Sequence, residues 1–436
     1  MNAARQKKTP VAVLGAGLTG MSAALALGEA QVPHRIFERL ERPGGHAITL
    51  EDSGYRFDRT GHLLHLRDPD VRRRVLAWIG RDYLEIERKS AIFSHGVYTR
   101  YPFQANTFGL PPEVAYECVL GFVQAHFRDP KPVPRNFEEF CLAHFGPGIS
   151  KHFMIPYNSR LWGVPPSEIT SDWCQRFVPL PKLEDVLAGA VGHAGRALGY
   201  NTHFVYPRLG IGELPRAMQR QLPHLELSRA PLSIDHERHQ IVFEDETVEY
   251  DVLVNTAPLP VLLRLLQRPP AEIAEAASKL RCTHLYYLDV ALNRPAGKDL
   301  HWVYVPEAKY PFYRVGCYSN FSPAMAPAGR SNLYVELADR AAPKLEALLP
   351  RVAAGLVDLG FIASPSEVEF ARVRRIDHAY VIFDHHYYPA LATITPFLQA
   401  ARIVTAGRYG GWNYSSMEDA LLFGQQAAAR ASELLR

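Results

Sequence analysis

The chain has 436 residues, 47% hydrophobic and 21% charged, which suits two or three packed domains of ordinary globular composition. Its 48 Lys and Arg against 45 Asp and Glu leave +3, too small a surplus to argue for a nucleic-acid partner. The five cysteines are scattered with no CxxC or metal-ligand spacing, which reads as reduced thiols of a cytoplasmic protein with no metal site, and no apolar run approaches the roughly 18–20 residues of a membrane span.

In chain order, residues 11–14 read as a buried parallel strand, 18–29 as a helix rich in Ala and Leu, and 34–38 as a second strand, a βαβ start. Residues 83–93 look like further strand. From 111 to about 191 the pattern is helical, with Pro111-Pro112-Glu113 and Asn136-Phe137-Glu138-Glu139 as helix starts. Strand returns at 202–206, 225–228, 240–243 and 252–256, the last re-entering the first sheet. Residues 285–292, 302–305, 314–319 and 332–336 suggest a second, mostly antiparallel sheet. A last buried strand at 403–406 and a helix at 417–435 close the chain.

Gly15-Ala16-Gly17-Leu18-Thr19-Gly20 places GxGxxG between a strand and a helix. Gly15 permits the tight turn, Gly17 lets the backbone approach a pyrophosphate, and Gly20 lets helix and strand pack closely. Glu38 ends the next strand, where an acid can accept ribose hydroxyls. Glu41-Arg42-Pro43-Gly44-Gly45-His46 follows at once, and its paired Gly44 and Gly45 suit a second loop over the same phosphates. This arrangement resembles the FAD-binding superfamily of amine oxidases, phytoene desaturases and UDP-galactopyranose mutases. Gly407-Arg408, with the helix that starts at Met417, matches the way those proteins close the cofactor site. The resemblance implies FAD and an α/β fold: a Rossmann-like FAD-binding domain, an inserted helical domain and a mostly antiparallel sheet domain. The expected bounds are 1–100, 201–270 and 401–436 for the FAD-binding parts, 101–200 for the helical insert and 271–400 for the sheet domain.

Four further blocks narrow the resemblance. Tyr101-Pro102-Phe103-Gln104-Ala105-Asn106 is similar to YPFQxN of eukaryotic-type UDP-galactopyranose mutases, and residues 153–162 to their FMxPYNxKxW. Residues 311–323 resemble PFYRxxxxSNYSP, and 407–414 resemble GRFGSWRY. Carried over residue by residue, the resemblance implies that Tyr101, Phe103 and Gln104 hold uracil and that Phe153, Asn158 and Trp162 line the nucleotide path. Arg176 and Arg314 would clamp the diphosphate, assisted by hydroxyls of Tyr304, Tyr388 and Tyr414, with Asn201 facing the sugar. Gly61 and His62 would form a loop beside the flavin. Planar, permanently charged arginines suit two phosphates, and tyrosines add neutral hydrogen bonds. Taken alone, Phe103, Phe153 or Trp162 reads equally well as a core aromatic.

Phe321 stands where the family has a tyrosine, and Asn413 where it has an arginine. The implied activity is interconversion of pyranose and furanose forms of a UDP-sugar, UDP-galactose first, through an adduct at N5 of reduced FAD. NAD(P)H or another reductant would be a partner, and an oligomer is left open. The alternative is an FAD-dependent oxidase or desaturase of the amine oxidase or protoporphyrinogen oxidase type, which would need an apolar tunnel.

Overall fold

The computed structural model describes residues 5–130, 132–174, 178–193 and 202–436; the expected site residues Arg176 and Asn201 lie outside them. Arg5–Leu14 runs parallel to Glu246–Asn255 along its length, and its second half also pairs with His34–Phe37. The strand starts six residues earlier than its apolar core suggested. Its parallel partner explains why: Lys7 and Lys8 meet Glu246 and Asp251 at 3.3 and 3.0 Å. Glu246–Asn255 has a second edge, whose early part takes Gln240–Val242 antiparallel and whose end takes Ile403–Thr405 parallel. Three distant stretches of chain therefore close one sheet, as the re-entry at 252–256 suggested.

Leu18–Glu29 packs on this sheet against Met417–Leu434. The Ser22 hydroxyl donates to the Leu421 carbonyl at 2.7 Å, and a Cβ on Gly424 would sit 2.4 Å from the Thr19 carbonyl oxygen. The first and last helices are thus locked at backbone contact.

The second sheet runs in the order Val368–Val381, Cys282–Leu292, Ser331–Leu337, Phe312–Cys317, Trp302–Tyr304, Ser90–Ser94, Val97–Arg100. Its pairs are antiparallel except that between Trp302–Tyr304 and Ser90–Ser94. The stretch expected as strand at 83–93 is two strands, and they serve different sheets. Tyr83–Glu87 pairs with His203–Pro207, whereas Ser90–Ser94 joins the second sheet because Ala91, Ile92 and Phe93 are buried there.

The insert is helical, as expected: Pro112–His126, Phe137–Ile149 capped by the Asn136 side chain at 2.9 Å, a π-helical turn Ser150–Met154, and Ile155–Trp162. Among the described residues no helix is long and apolar enough to cross a membrane.

Candidate functional site

The two glycine loops fold over one another. The Gly44 amide donates to the Ala16 carbonyl at 2.8 Å, and Gly17 and Gly44 pair as a parallel bridge. A Cβ at Gly20 would lie 1.8 Å from the Gly15 carbonyl oxygen, so only glycine lets the helix sit this close. Beside Gly17 an added Cβ would meet nothing within 4 Å, leaving open space over a helix whose N-terminus has no side-chain cap. An uncapped helix N-terminus and open space beside Gly17 suit a pyrophosphate. Glu38 is buried and accepts from the Ala16 and Leu40 amides at 2.8 and 3.0 Å, which holds its carboxylate beside the same turn.

Gly407 and Arg408 arrive from the far end of the chain. Arg408 donates to the Ser415 and Ala379 carbonyls at 2.9 and 3.0 Å, and its Nε has no partner. Met417 opens the closing helix, where Ser416 and Asp419 cap one another. The loop with Gly61 and His62 is held from below: Tyr318 donates to the Asp58 carbonyl at 2.6 Å, and Thr60 takes a φ of 63°, a strained value for a β-branched residue. Burial, then Arg408, pushes His62 down to about 4, and its Nδ1 has no partner. These loops, converging from three stretches of chain with orphaned polar atoms, fit FAD.

The second sheet presents one polar face. Across it Tyr304, Arg314, Glu336, Tyr287 and Arg374 are successive register partners, and in the next row Gly316, Tyr334 and Asp289. Arg314 donates to Glu336 at 2.5 Å and to the Tyr380 hydroxyl at 3.4 Å, while its Nε is unpartnered. Burial works against the charge on Arg314, yet Glu336 and then Tyr380 outweigh it and hold the guanidinium above its ordinary value. The Tyr334 ring crosses the sheet over Gly316, where a Cβ would fall 2.0 Å from the ring, and its hydroxyl would be 2.6 Å from a Cβ on Gly61. Tyr334 therefore joins the polar face to the Gly61 loop.

An aromatic wall flanks this face. Tyr101 stacks on Tyr304 at 5.3 Å; Tyr157 meets Tyr304 edge-on at 5.4 Å and stacks on Phe153, which stacks on Phe103 at 4.9 Å. Trp162 reaches Tyr380 and Tyr414 at 5.5 and 5.9 Å, and Arg408 lies 4.6 Å over the Tyr414 ring. Two expected nucleotide contacts are turned to the backbone instead: Gln104 donates to the Pro179 carbonyl and Asn158 to that of Met154, at 2.9 and 2.7 Å.

Tyr388 is not brought to this cluster. It is 49% exposed on Tyr387–Ala400, with its ring edge-on to Tyr387. Tyr380, eight residues earlier, takes the place beside Arg314. Tyr380 sits inside Val368–Val381 with no turn or motif to mark it in the sequence. Phe321 is buried among Phe204, Tyr206, His301 and Tyr318. Sequence reasoning missed Glu336, Tyr334 and Arg88 as well. Arg88 lies 4.6 Å over the Tyr101 ring. The alternation of Asn332, Tyr334 and Glu336 with apolar neighbours was the available signal for a polar sheet face.

Comparison with known proteins agrees with this geometry. A family model for flavin containing amine oxidoreductases matches residues 18–432. A solved structure of reduced UDP-galactopyranose mutase is 27% identical, with a TM-score of 0.91 covering 98% of this chain and 96% of that one. Putrescine oxidase bound to putrescine, 15% identical with a TM-score of 0.67, shares the fold. Among curated relatives, phytoene dehydrogenase of Streptomyces griseus is 28% identical over 304 residues, 60% of this chain and 56% of that protein. Carotenoid 3,4-desaturase of Haloarcula japonica is 41% identical over 81 residues, 18% of this chain and 16% of that one. The chain thus matches little more than half the length of the first of these relatives.

Proposed function

Since this chain belongs to the flavin-containing amine oxidoreductase family, with FAD as its cofactor, we propose that it is a nucleotide-sugar mutase. It would interconvert pyranose and furanose forms of a UDP-sugar, UDP-galactose being the first candidate. The observation that carries this reading is the buried polar row Tyr304–Arg314–Glu336, walled by Tyr101, Tyr157, Phe153 and Trp162. An apolar polyene or amine tunnel has no use for a guanidinium and four tyrosines on one buried face, whereas a diphosphate with a sugar does.

Bound flavin in its reduced form would supply the nucleophile. The protein's own work is to hold and orient. Arg314, with Nε free and Nη2 tied to Glu336, is aimed by its carboxylate and keeps donors for a phosphate oxygen. Tyr380 meets it at 3.4 Å and Tyr304 is its register partner, and burial raises the pKa of both hydroxyls, so both stay protonated donors. Tyr101, stacked on Tyr304 with Arg88 over its ring, belongs to the aromatic wall beside which a base would sit. Fixing the glycosyl carbon against the cofactor draws on the roughly 7–11 kcal/mol available from proximity. The 0.91 TM-score to a reduced mutase supports the reading, and the names of the curated relatives favour a desaturase.

Incubation decides between them. Dithionite-reduced protein with UDP-galactopyranose or UDP-galactofuranose should yield the other isomer, and oxidised protein should yield none. Absence of any isomer together with hydrogen peroxide release or polyene formation would give the site to an oxidase or desaturase.

A further inference from the structure

Arg59 carries a charge that the mutase reading leaves unused. It is half-buried, directly before the strained Thr60 and the Gly61 loop. Its Nη1 lies 3.2 Å from Nδ1 of His46, the residue after the Gly44–Gly45 loop, and His46 meets the Tyr409 ring edge-on at 5.2 Å. Arg59 thus stands where three stretches of the cofactor site converge: residues 44–46, 60–62 and 407–411. Asp58, its chain neighbour, is spoken for by Thr49 and Tyr206 at 2.6 Å each and by the Ile211 amide. Asp289 on the facing sheet gives one carboxylate oxygen to Arg374 at 2.9 Å and feels Arg59 only from beyond ion-pair distance. Among the described residues no carboxylate lies within ion-pair distance of Arg59. Its partner His46 is an imidazole that burial and then Arg59 itself push well below the usual range, so it is neutral and brings no negative charge. Arg408, the other arginine here, donates to two carbonyls and lies over the Tyr414 ring.

A half-buried guanidinium without a counter-ion is costly unless a bound anion completes it. We propose that Arg59, tethered by His46, is a positioning residue that sets its charge against the isoalloxazine and stabilises the anionic form of the reduced flavin. Two electrons from a donor such as dithionite and one proton from solvent leave the reduced ring with one negative charge. Arg59 favours that state over uptake of a second proton at N1. The FAD pyrophosphate is the rival anion, but the uncapped helix at Gly17 and the Gly44 loop already serve it. This inference rests on the flavin family and not on the sugar, so it stands or falls independently of mutase activity.

The test uses FAD-loaded protein with Arg59→Met, Arg59→Lys and His46→Gln. Arg59→Met should favour the reduced state at least tenfold less, a midpoint potential about 30 mV more negative for a two-electron couple. The reduced-flavin spectrum of this variant should begin to titrate at a higher pH. Arg59→Lys should recover most of the shift, and His46→Gln, which frees the guanidinium, should lose part of it. Unchanged potential with weaker FAD binding would assign the charge to the pyrophosphate and overturn the proposal. Unchanged potential and affinity would overturn it equally. Should Arg59→Met fold without FAD, the potential of His46→Gln alone decides, and a value equal to that of the parent refutes the idea.

Discussion

The second sheet has two faces built from the same strands. On one, Leu288, Val290, Val303, Val315, Leu333 and Val335 pack against Leu348, Val352 and Leu356 of Leu345–Asp358, all of them buried and apolar. On the other, alternate residues are Tyr287, Asp289, Tyr334 and Glu336, equally inaccessible, and the partly buried Arg314, with polar atoms on four of these residues that meet no partner: Tyr287 Oη, Asp289 Oδ1, Arg314 Nε and Glu336 Oε2. Period-two alternation lets one strand serve both purposes. The first face gains stability from burial at about 25 cal/mol per Å². The second gives stability up, because each buried polar group without a partner is costly. A fold tolerates such a face where a ligand completes it.

Substitution should separate the two faces. The largest effect belongs to Arg314→Ala. It strands the Glu336 carboxylate, whose side chain has no solvent access, and should cost about 3–5 kcal/mol of stability in denaturant titration. The paired change Arg314→Met with Glu336→Leu should regain most of that stability while calorimetry still finds no UDP binding. Recovery of UDP affinity in the double variant would remove Arg314 from the site. Next comes the control on the apolar face. Leu356→Ala, fully buried, should cost about 2–5 kcal/mol by leaving a cavity and should leave UDP affinity untouched. A tenfold change in affinity there would show that the faces are coupled and not separate.

The sequence made the apolar face and the cofactor loops legible for a physical reason. GxGxxG, Gly44–Gly45 and Gly407-Arg408 are local demands of backbone geometry, so they leave fixed spacings. Arg314 was legible because it lies in a block beside a turn. Glu336, Tyr334 and Arg59 act through partners that are distant in the chain: Glu336 through Arg314, Tyr334 through Gly61 and Gly316, Arg59 through His46. Nothing in the local pattern records such pairings. The split of 83–93 between two sheets escaped for the same reason, since strand periodicity says which residues extend and not which sheet they join.

Smaller, and set by pH, is the effect of the histidines under the flavin loop. Burial is the main cause that pushes both His62 and His65 from 6.5 down to about 4. An imidazole lowered in the fold stays neutral where the unfolded chain takes up a proton. The stability it contributes is complete above about 6.5 and is lost as pH falls toward 4. Thermal melting of FAD-loaded protein across pH 4–8 should show that decline, and His62→Gln should flatten it. An unchanged slope would mean that His62 is not the buried neutral group.

The smallest expected effect is also the one that best sharpens the polar face. Tyr380 and Tyr388 lie eight residues apart, and only Tyr380 offers its hydroxyl near Arg314, at 3.4 Å. Tyr388, at 49% exposed, already has its hydroxyl bonds available from water. Removing one neutral hydrogen bond to a bound phosphate costs about 0.5–1.5 kcal/mol, and removing a solvated one costs next to nothing. Tyr380→Phe should therefore weaken UDP binding several-fold in calorimetry, and Tyr388→Phe should leave it as it was. The opposite order would mean that helix Tyr387–Ala400 turns toward the sheet when ligand binds. In that case the polar face described here is only half of the diphosphate site, because a hydroxyl at 388 can serve a phosphate only by leaving solvent.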